Sequence, residues 1–321
     1  MSRPSIALVL PDDLGLEATV RCLSTAAIGI PIHAGRTVAA LAEAGPGLQF
    51  VLVHAQLLGE VLQALAADPR KPRIGVLAPE TTEELLEQTL SVPQIVGLVA
   101  WTESGARSWE LLYLTRRLFA PQEEAPHMGA LLAWGATTLA WTPRTTEEQR
   151  QIVQRIDTLC SRLGIQRQVA ELVSTAAHEL LMNAMYDAPV DAQGRPRYAS
   201  DRTAAITLAP HEVPSLRFTV DGEWLALDAI DPFGRIPRSR FFEGVLRGQR
   251  AMRGGEALDT SHGGAGLGLH TLYTSGAVLR VELVPTKTTH VSWALDRTLS
   301  RSARRRIVRS LYFLAMTPRN T

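Results

Sequence analysis

The hydrophobic pattern opens with short apolar runs at residues 5–10, Phe50 to Val53, Ile74 to Leu77 and Ile95 to Ala100, each the length of a buried strand. Between them, Leu57, Val61, Leu62 and Leu65 fall at helical spacing, and Glu83 to Leu90 does the same. Short strands alternating with amphipathic helices imply parallel βαβ units, so a doubly wound sheet is expected over residues 1–122. Pro121-Gln-Glu-Glu-Ala-Pro126 combines two prolines with two acids and reads as a linker.

A second domain is expected over 127–321. Thr137 to Trp141 has strand character, and Thr145 with Glu148 has the spacing of a capping box opening a helix. Ile152, Ile156, Leu159 and Leu163 carry that helix to Gly164, and a second helix is expected from Gln168 to Tyr186, closed by Pro189. Trp224 to Ile230 reads as a strand running into a turn, and Ala277 to Val284 with Thr289 to Leu295 as an antiparallel pair. At the end of the chain, Arg301 to Arg309 and the following Ser-Leu-Tyr-Phe-Leu suggest a basic helix packing Ile307, Leu311 and Leu314 inward with its arginines in water. That dense positive face could also grip an acidic partner, and it holds no base-reading motif.

Composition narrows the function classes without choosing among them. The 321 residues, 45% hydrophobic and 20% charged, suit an ordinary globular chain of two domains. A net charge of +1 gives the molecule no overall pull toward nucleic acid or an anionic membrane. Cys22 and Cys160 lie far apart without metal spacing, which fits core positions in a reducing cytoplasm. The longest uncharged apolar stretch, Met128 to Trp141, is about fourteen residues against the roughly twenty needed to cross a bilayer. No secretory leader is expected at the N-terminus.

Three motifs carry candidate chemistry. Gly264-Ala265-Gly266-Leu267-Gly268-Leu269 places glycines at alternate positions, a composition that exposes backbone N–H groups and suits an anion such as phosphate. Glu179 and Asn183 lie four residues apart, on neighbouring turns of one helix face, although the same spacing fits a plain polar face. Asp231 ends an apolar run and is followed by Pro232-Phe233-Gly234-Arg235. No Gly-x-x-x-x-Gly-Lys-Ser/Thr occurs, and Gly-x-Gly-x-x-Gly fails at its third glycine, which disfavours a P-loop or a dinucleotide fold.

The order of acid-Asn helix, strand-Asp-Gly turn and Gly-x-Gly-Leu-Gly-Leu resembles the nucleotide site of the GHKL (Bergerat-fold) ATPases, which include gyrase, heat-shock chaperones, histidine kinases and mismatch-repair proteins. The arrangement is most similar to the anti-sigma-factor kinase branch, since no His-Glu-x-x-x-Pro phosphoacceptor helix is present. The resemblance covers about residues 137 to 295 and implies a two-layer α/β sandwich that binds ATP with Mg2+. It assigns Glu179 the role of general base, Asn183 that of magnesium ligand, and Asp231 that of acceptor for the adenine amino group. Thr288 or Thr289 is the supporting threonine, and Gly264, Gly266, Leu267 and Gly268 belong to the phosphate segment. Residues 238 to 262, with Arg238, Arg240, Arg247, Arg250 and Arg253, take the place of a mobile lid. After the acid the family pattern is Asp-x-Gly-x-Gly; here Phe233 replaces the first glycine, Gly234 is shifted by one and Arg235 replaces the second. Phe233 is then placed against the base.

The first domain resembles a response-regulator receiver in pattern, with Asp12 and Asp13 where that family keeps metal-binding acids; a solvated strand-end turn is the alternative. His54 stands in place of the phosphoacceptor aspartate, Ala78 in place of the hydroxyl residue, and Ala100 and Trp101 in place of the lysine. Without the carboxylate there is no nucleophile, so a pseudo-receiver is expected. The function implied is that of a cytoplasmic bacterial-type signalling protein using nucleotide state, or phosphorylation on serine or threonine, to control a protein partner. A homodimer is left open, and nucleic acid is not expected. The alternative is a nucleotide-free scaffold in which only docking survives.

Overall fold

A computed structural model describes residues 3–11, 15–119, 126–132, 135–252 and 265–316, with the backbone alone at 252 and 265–267. The chain is an α/β protein divided into two compact units, Met1–Glu124 with Val308–Tyr312, and Ala125–Ile307 with Phe313–Thr321.

The first unit contains β1 (Ser5–Val9), α1 (Leu16–Ala26), β2 (Ile32–Gly35), α2 (Ala39–Glu43), β3 (Leu48–His54), α3 (Leu58–Leu65), β4 (Arg73–Ala78), α4 (Glu83–Ser91), β5 (Ile95–Thr102), the short β6 (Gly105–Ala106) and α5 (Ser108–Phe119). Parallel strands run in the order β2-β1-β3-β4-β5, the flavodoxin-like arrangement of a doubly wound sheet. β1 is buried along its whole length, as expected for a strand covered on both faces. The strand β2 escapes the sequence pattern because Ile32-His-Ala-Gly is half-buried throughout and has neither an apolar run nor alternation. Asp12 and Asp13 lie outside the described residues. His54 ends β3 and is buried, in edge-to-face contact with Trp101 at 6.2 Å.

The second unit contains β7 (Thr137–Trp141), α6 (Thr146–Arg162), α7 (Arg167–Met182), β8 (Ser215–Val220), β9 (Trp224–Asp231), α8 (Arg238–Met252), α9 (Ala265–Ser275), β10 (Val278–Val284), β11 (Thr288–Asp296) and α10 (Arg301–Arg306). Antiparallel strands run β10-β11-β9-β8-β7, with α7 against β9 and α9, and α8 against α9. Thr145 caps α6 by accepting the Glu148 N–H at 3.1 Å. The capping box is half formed, because the Glu148 carboxylate takes the Arg144 N–H at 2.6 Å instead of that of Thr145.

Three further expectations are corrected. Residues 238–252 form the helix α8 rather than a mobile lid, because Phe241, Phe242, Val245 and Leu246 make one apolar face that is buried; residues 253–262 lie outside the described residues. The helix expected to Tyr186 gives way at Asn183 to a π turn, Asn183–Asp187. The basic helix α10 stops at Arg306, and Ile307 to Leu314 is not helical: β12 (Ser310–Ala315) follows. A continuous apolar run of this length does not distinguish helix from strand by period, and pairing decides it. Leu311 and Tyr312 pair antiparallel with Leu98 and Gly97 of β5, and the Tyr312 hydroxyl bonds the Glu110 carboxylate on α5. No helix among the described residues is long and apolar enough to cross a membrane. Cys160 is buried, whereas Cys22 is half-buried.

The second unit closes around a buried carboxylate. Asp228, with no exposed surface, accepts the Met128 N–H at 2.8 Å, the Ser292 hydroxyl at 2.6 Å and His290 Nε2 at 2.8 Å. Arg280 on β10 donates to Ser292 at 2.7 Å and to the Pro126 carbonyl at 2.8 Å. Burial alone raises the Asp228 pKa, but His290, Arg280 and Ser292 outweigh it and hold the carboxyl below its ordinary value. Asp228→Ala leaves these partners buried without their acceptor and should cost about 3–5 kcal/mol, read as a lower urea midpoint. Asp228→Asn, which keeps an acceptor oxygen, should cost less; an unchanged midpoint for Asp228→Ala would show that charge and hydrogen bonding at Asp228 do not set stability.

Candidate functional site

Side chains alternate along β9, so Asp228 and Asp231 face opposite sides of the sheet. Asp231 shares its face with Leu227 and with Trp293 of β11, whose indole donates to the Leu272 carbonyl of α9 at 3.0 Å. Across the antiparallel pair, the register partner of Asp231 is Thr289. The Thr289 hydroxyl donates to Asp231 Oδ1 at 3.2 Å, and the same oxygen accepts the Phe233 N–H at 2.9 Å. Thr289 in turn accepts the Arg235 N–H at 3.3 Å, which fixes the start of the turn to both strands.

Gly234 has φ of 61°, and an added Cβ would stand 2.2 Å from the Val284 carbonyl oxygen. The left-handed backbone and the close approach both demand glycine there. Gly234 therefore seats the Asp231 turn against the β10–β11 hairpin, where its carbonyl accepts the Thr286 N–H at 3.1 Å. Phe233 is half-buried beside it. Asp231 is 7% exposed, and burial pushes its pKa up to about 6, against the opposing hydrogen bonds from Phe233, Thr289 and Gly234.

The glycine-rich segment is not a loop where it is described. Gly264 lies outside the described residues, and Gly266, Leu267 and Gly268 belong to the first turns of α9. Leu269, Leu272 and Tyr273 recur at helical spacing and are buried, which overrides the glycines' preference for a loop. Gly268 meets Glu179 of α7: a Cβ on Gly268 would stand 2.3 Å from Glu179 Oε2. The half-buried Glu179 carboxylate thus rests against the first turn of α9, where the helix dipole favours negative charge.

Asn183 opens the π turn, with the Ala188 N–H reaching its carbonyl at 3.0 Å, a geometry that recurs at functional sites. The turn packs against β9. Arg202 Nη2 donates to Asn183 Oδ1 at 3.0 Å and to Asp187 Oδ2 at 2.6 Å, while its Nε donates to Asp187 Oδ1 at 3.1 Å. Arg240 of α8 adds a bond to Asp187 at 3.2 Å. The sequence motifs omitted Asp187 and Arg202. Asp187 repeats the four-residue step from Glu179 to Asn183 and was detectable on that ground; Arg202 sits in an aperiodic segment and carries no signal.

Magnesium takes oxygen ligands in near-octahedral geometry. The oxygen expected to serve it is held here by a guanidinium, and Asp187 is already shared between two of them. Among the described residues no group of three or more His, Cys, Asp or Glu side chains could hold a metal ion. This donor set does not fit a divalent cation, and no chemical step is routed through one.

No family model matches the chain, and no curated protein matches it. Among solved structures, a chain in the crystal structure of the SiaB–SiaC complex from Pseudomonas aeruginosa is similar at 14% identity, over 49% of this chain and 88% of that one, with a TM-score of 0.31.

The raised pKa of Asp231 has a defined sign. Its native value near 6 lies above the ordinary 3.8, so the folded state favours the neutral acid, and the stability this contributes at low pH is lost as pH rises through 6. Between pH 4 and pH 7 the parent should lose about 2 kcal/mol relative to Asp231→Asn, measured from urea unfolding at each pH. Parallel stability curves for the two proteins would remove Asp231 as the source.

Proposed function

We propose that the second unit binds an adenosine polyphosphate in the manner of a GHKL domain, and that nucleotide state controls a protein partner, either through transfer to a serine or threonine or as an ATPase switch. The observation carrying this reading is the Asp231–Thr289 pair. A buried carboxylate that receives one hydroxyl and the N–H groups of its own turn is suited to accept the exocyclic amino group of adenine. Guanine offers a carbonyl at that position and would leave the acceptor unmatched, at a cost of about 1–3 kcal/mol. Glu179, adjoining α9, takes the general-base role toward an attacking water or hydroxyl.

A second reading, a nucleotide-free docking scaffold, is favoured by two observations: Arg202 occupies the Asn183 oxygen, and a buried His54 stands where a receiver needs its aspartate.

Calorimetric titration of the full chain with ATP, ADP and GTP in magnesium buffer separates the readings. Adenine nucleotides should give saturable heat, GTP should bind about tenfold more weakly or worse, and Asp231→Ala should abolish the preference. Glu179→Ala should retain binding while turnover falls by about two orders of magnitude or more. An absence of heat and of thermal shift with every nucleotide leaves the scaffold.

A further inference from the structure

We propose that Asn183, Asp187, Arg202 and Arg240 form a polyphosphate-binding site in which guanidinium charge replaces a divalent cation, so that the nucleotide is taken up as a metal-free anion. The identity of that anion as a nucleotide rests on the reading above; the capture of polyphosphate does not.

The charge balance is the first argument. Two guanidiniums face one carboxylate, which leaves the cluster with a net charge of +1: Asp187 and Arg202 are 10% and 15% exposed, while Arg240, at 41%, opens toward solvent. The inner pair is screened less than surface charge, and the net positive charge repels Mg2+ and attracts phosphate. The second argument is orientation. A guanidinium can only donate, so the Asn183 oxygen must face Arg202, and the carboxamide presents its NH2 group, not an oxygen ligand, elsewhere.

The third argument is donor capacity. Arg202 spends Nε and Nη2 on Asp187 and Asn183, and Arg240 spends one Nη2 bond on Asp187. Nη1 of Arg202, and Nε and Nη1 of Arg240, have no hydrogen-bond partner among the described residues. Asp187 therefore acts as a clamp: its paired contacts fix the plane of the Arg202 guanidinium and aim the remaining donors, Nη1 of Arg202 and those of Arg240, which can reach phosphate oxygens as separate charge-assisted bonds.

The experiment is calorimetric titration of the full chain with inorganic tripolyphosphate and with ATP, each in EDTA and in excess Mg2+. For the parent, tripolyphosphate should bind in EDTA at least as tightly as in excess Mg2+, because the ion competes with the guanidiniums for the phosphate oxygens. Arg202→Gln should weaken binding in EDTA by about tenfold or more, and Arg202→Lys, a point charge without the fork, should fall between. A thermal melt establishes that each variant is folded, and the parent's metal independence can be read without any variant. The proposal is overturned if the parent binds only with Mg2+, or if Arg202→Gln binds as tightly as the parent or more so. Metal-free tripolyphosphate capture without adenine preference supports the cluster and defeats the adenine reading; adenine-selective binding that strictly needs Mg2+ does the reverse.

Discussion

A carboxylate with no exposed surface, Asp228, sets the terms for the second unit. Burying an ion is costly unless its lone pairs are taken up, and here a backbone N–H comes from the segment at Met128 and a serine hydroxyl and an imidazole from β11. Satisfying one side chain therefore fixes the spacing of β9 and β11 and, through Arg280, draws in β10 and the segment at Pro126. The strand held in this way is the one that delivers Asp231 to the opposite face.

The two aspartates of β9 show what partners do at nearly equal burial. Asp228 is surrounded by His290, Ser292 and Arg280, and stays ionised below its ordinary pKa. Among the described residues Asp231 is bonded by Thr289 and turn N–H groups and by no cation, and its pKa rises to about 6. The first behaves as a structural anchor. The second retains acceptor capacity at the edge of a turn whose shape is fixed by Gly234, which is the property a recognition group requires.

Much of this architecture was legible where one physical signal dominated. Strands β1, β3, β4 and β5 are saturated with apolar residues, and α6 and α7 keep their helical period, so burial alone dictates them. The resemblance left Thr288 or Thr289 as the threonine beside Asp231, and the antiparallel register of β9 and β11 selects Thr289. Legibility failed where tertiary contact overrides local preference. The glycines of α9 suggested a loop, yet Gly268 is needed so that Glu179 can approach the helix, and Gly248 leaves room for the His270 ring. The arginines of α8 suggested a solvated lid and masked the apolar face of Phe241, Phe242 and Val245. Asn183 was expected inside the helix but opens the π turn that follows it, and its partner Arg202 comes from an aperiodic segment that no spacing rule reaches.

The edge of the first sheet is completed from far along the chain. Ala100 of β5 donates its N–H to the Ser310 hydroxyl at 2.9 Å, across 210 residues of sequence, and Gly97 leaves the room that the Tyr312 ring occupies. During synthesis β5 must therefore wait for this pairing until residues 310–312, some 210 positions further on, have emerged, and contacts of such long sequence separation form slowly. A nascent or truncated product ending near residue 124 would carry an open, apolar strand edge, the form most prone to pair with a neighbouring copy. Maturation of the first unit is thereby tied to the arrival of Val308–Tyr312.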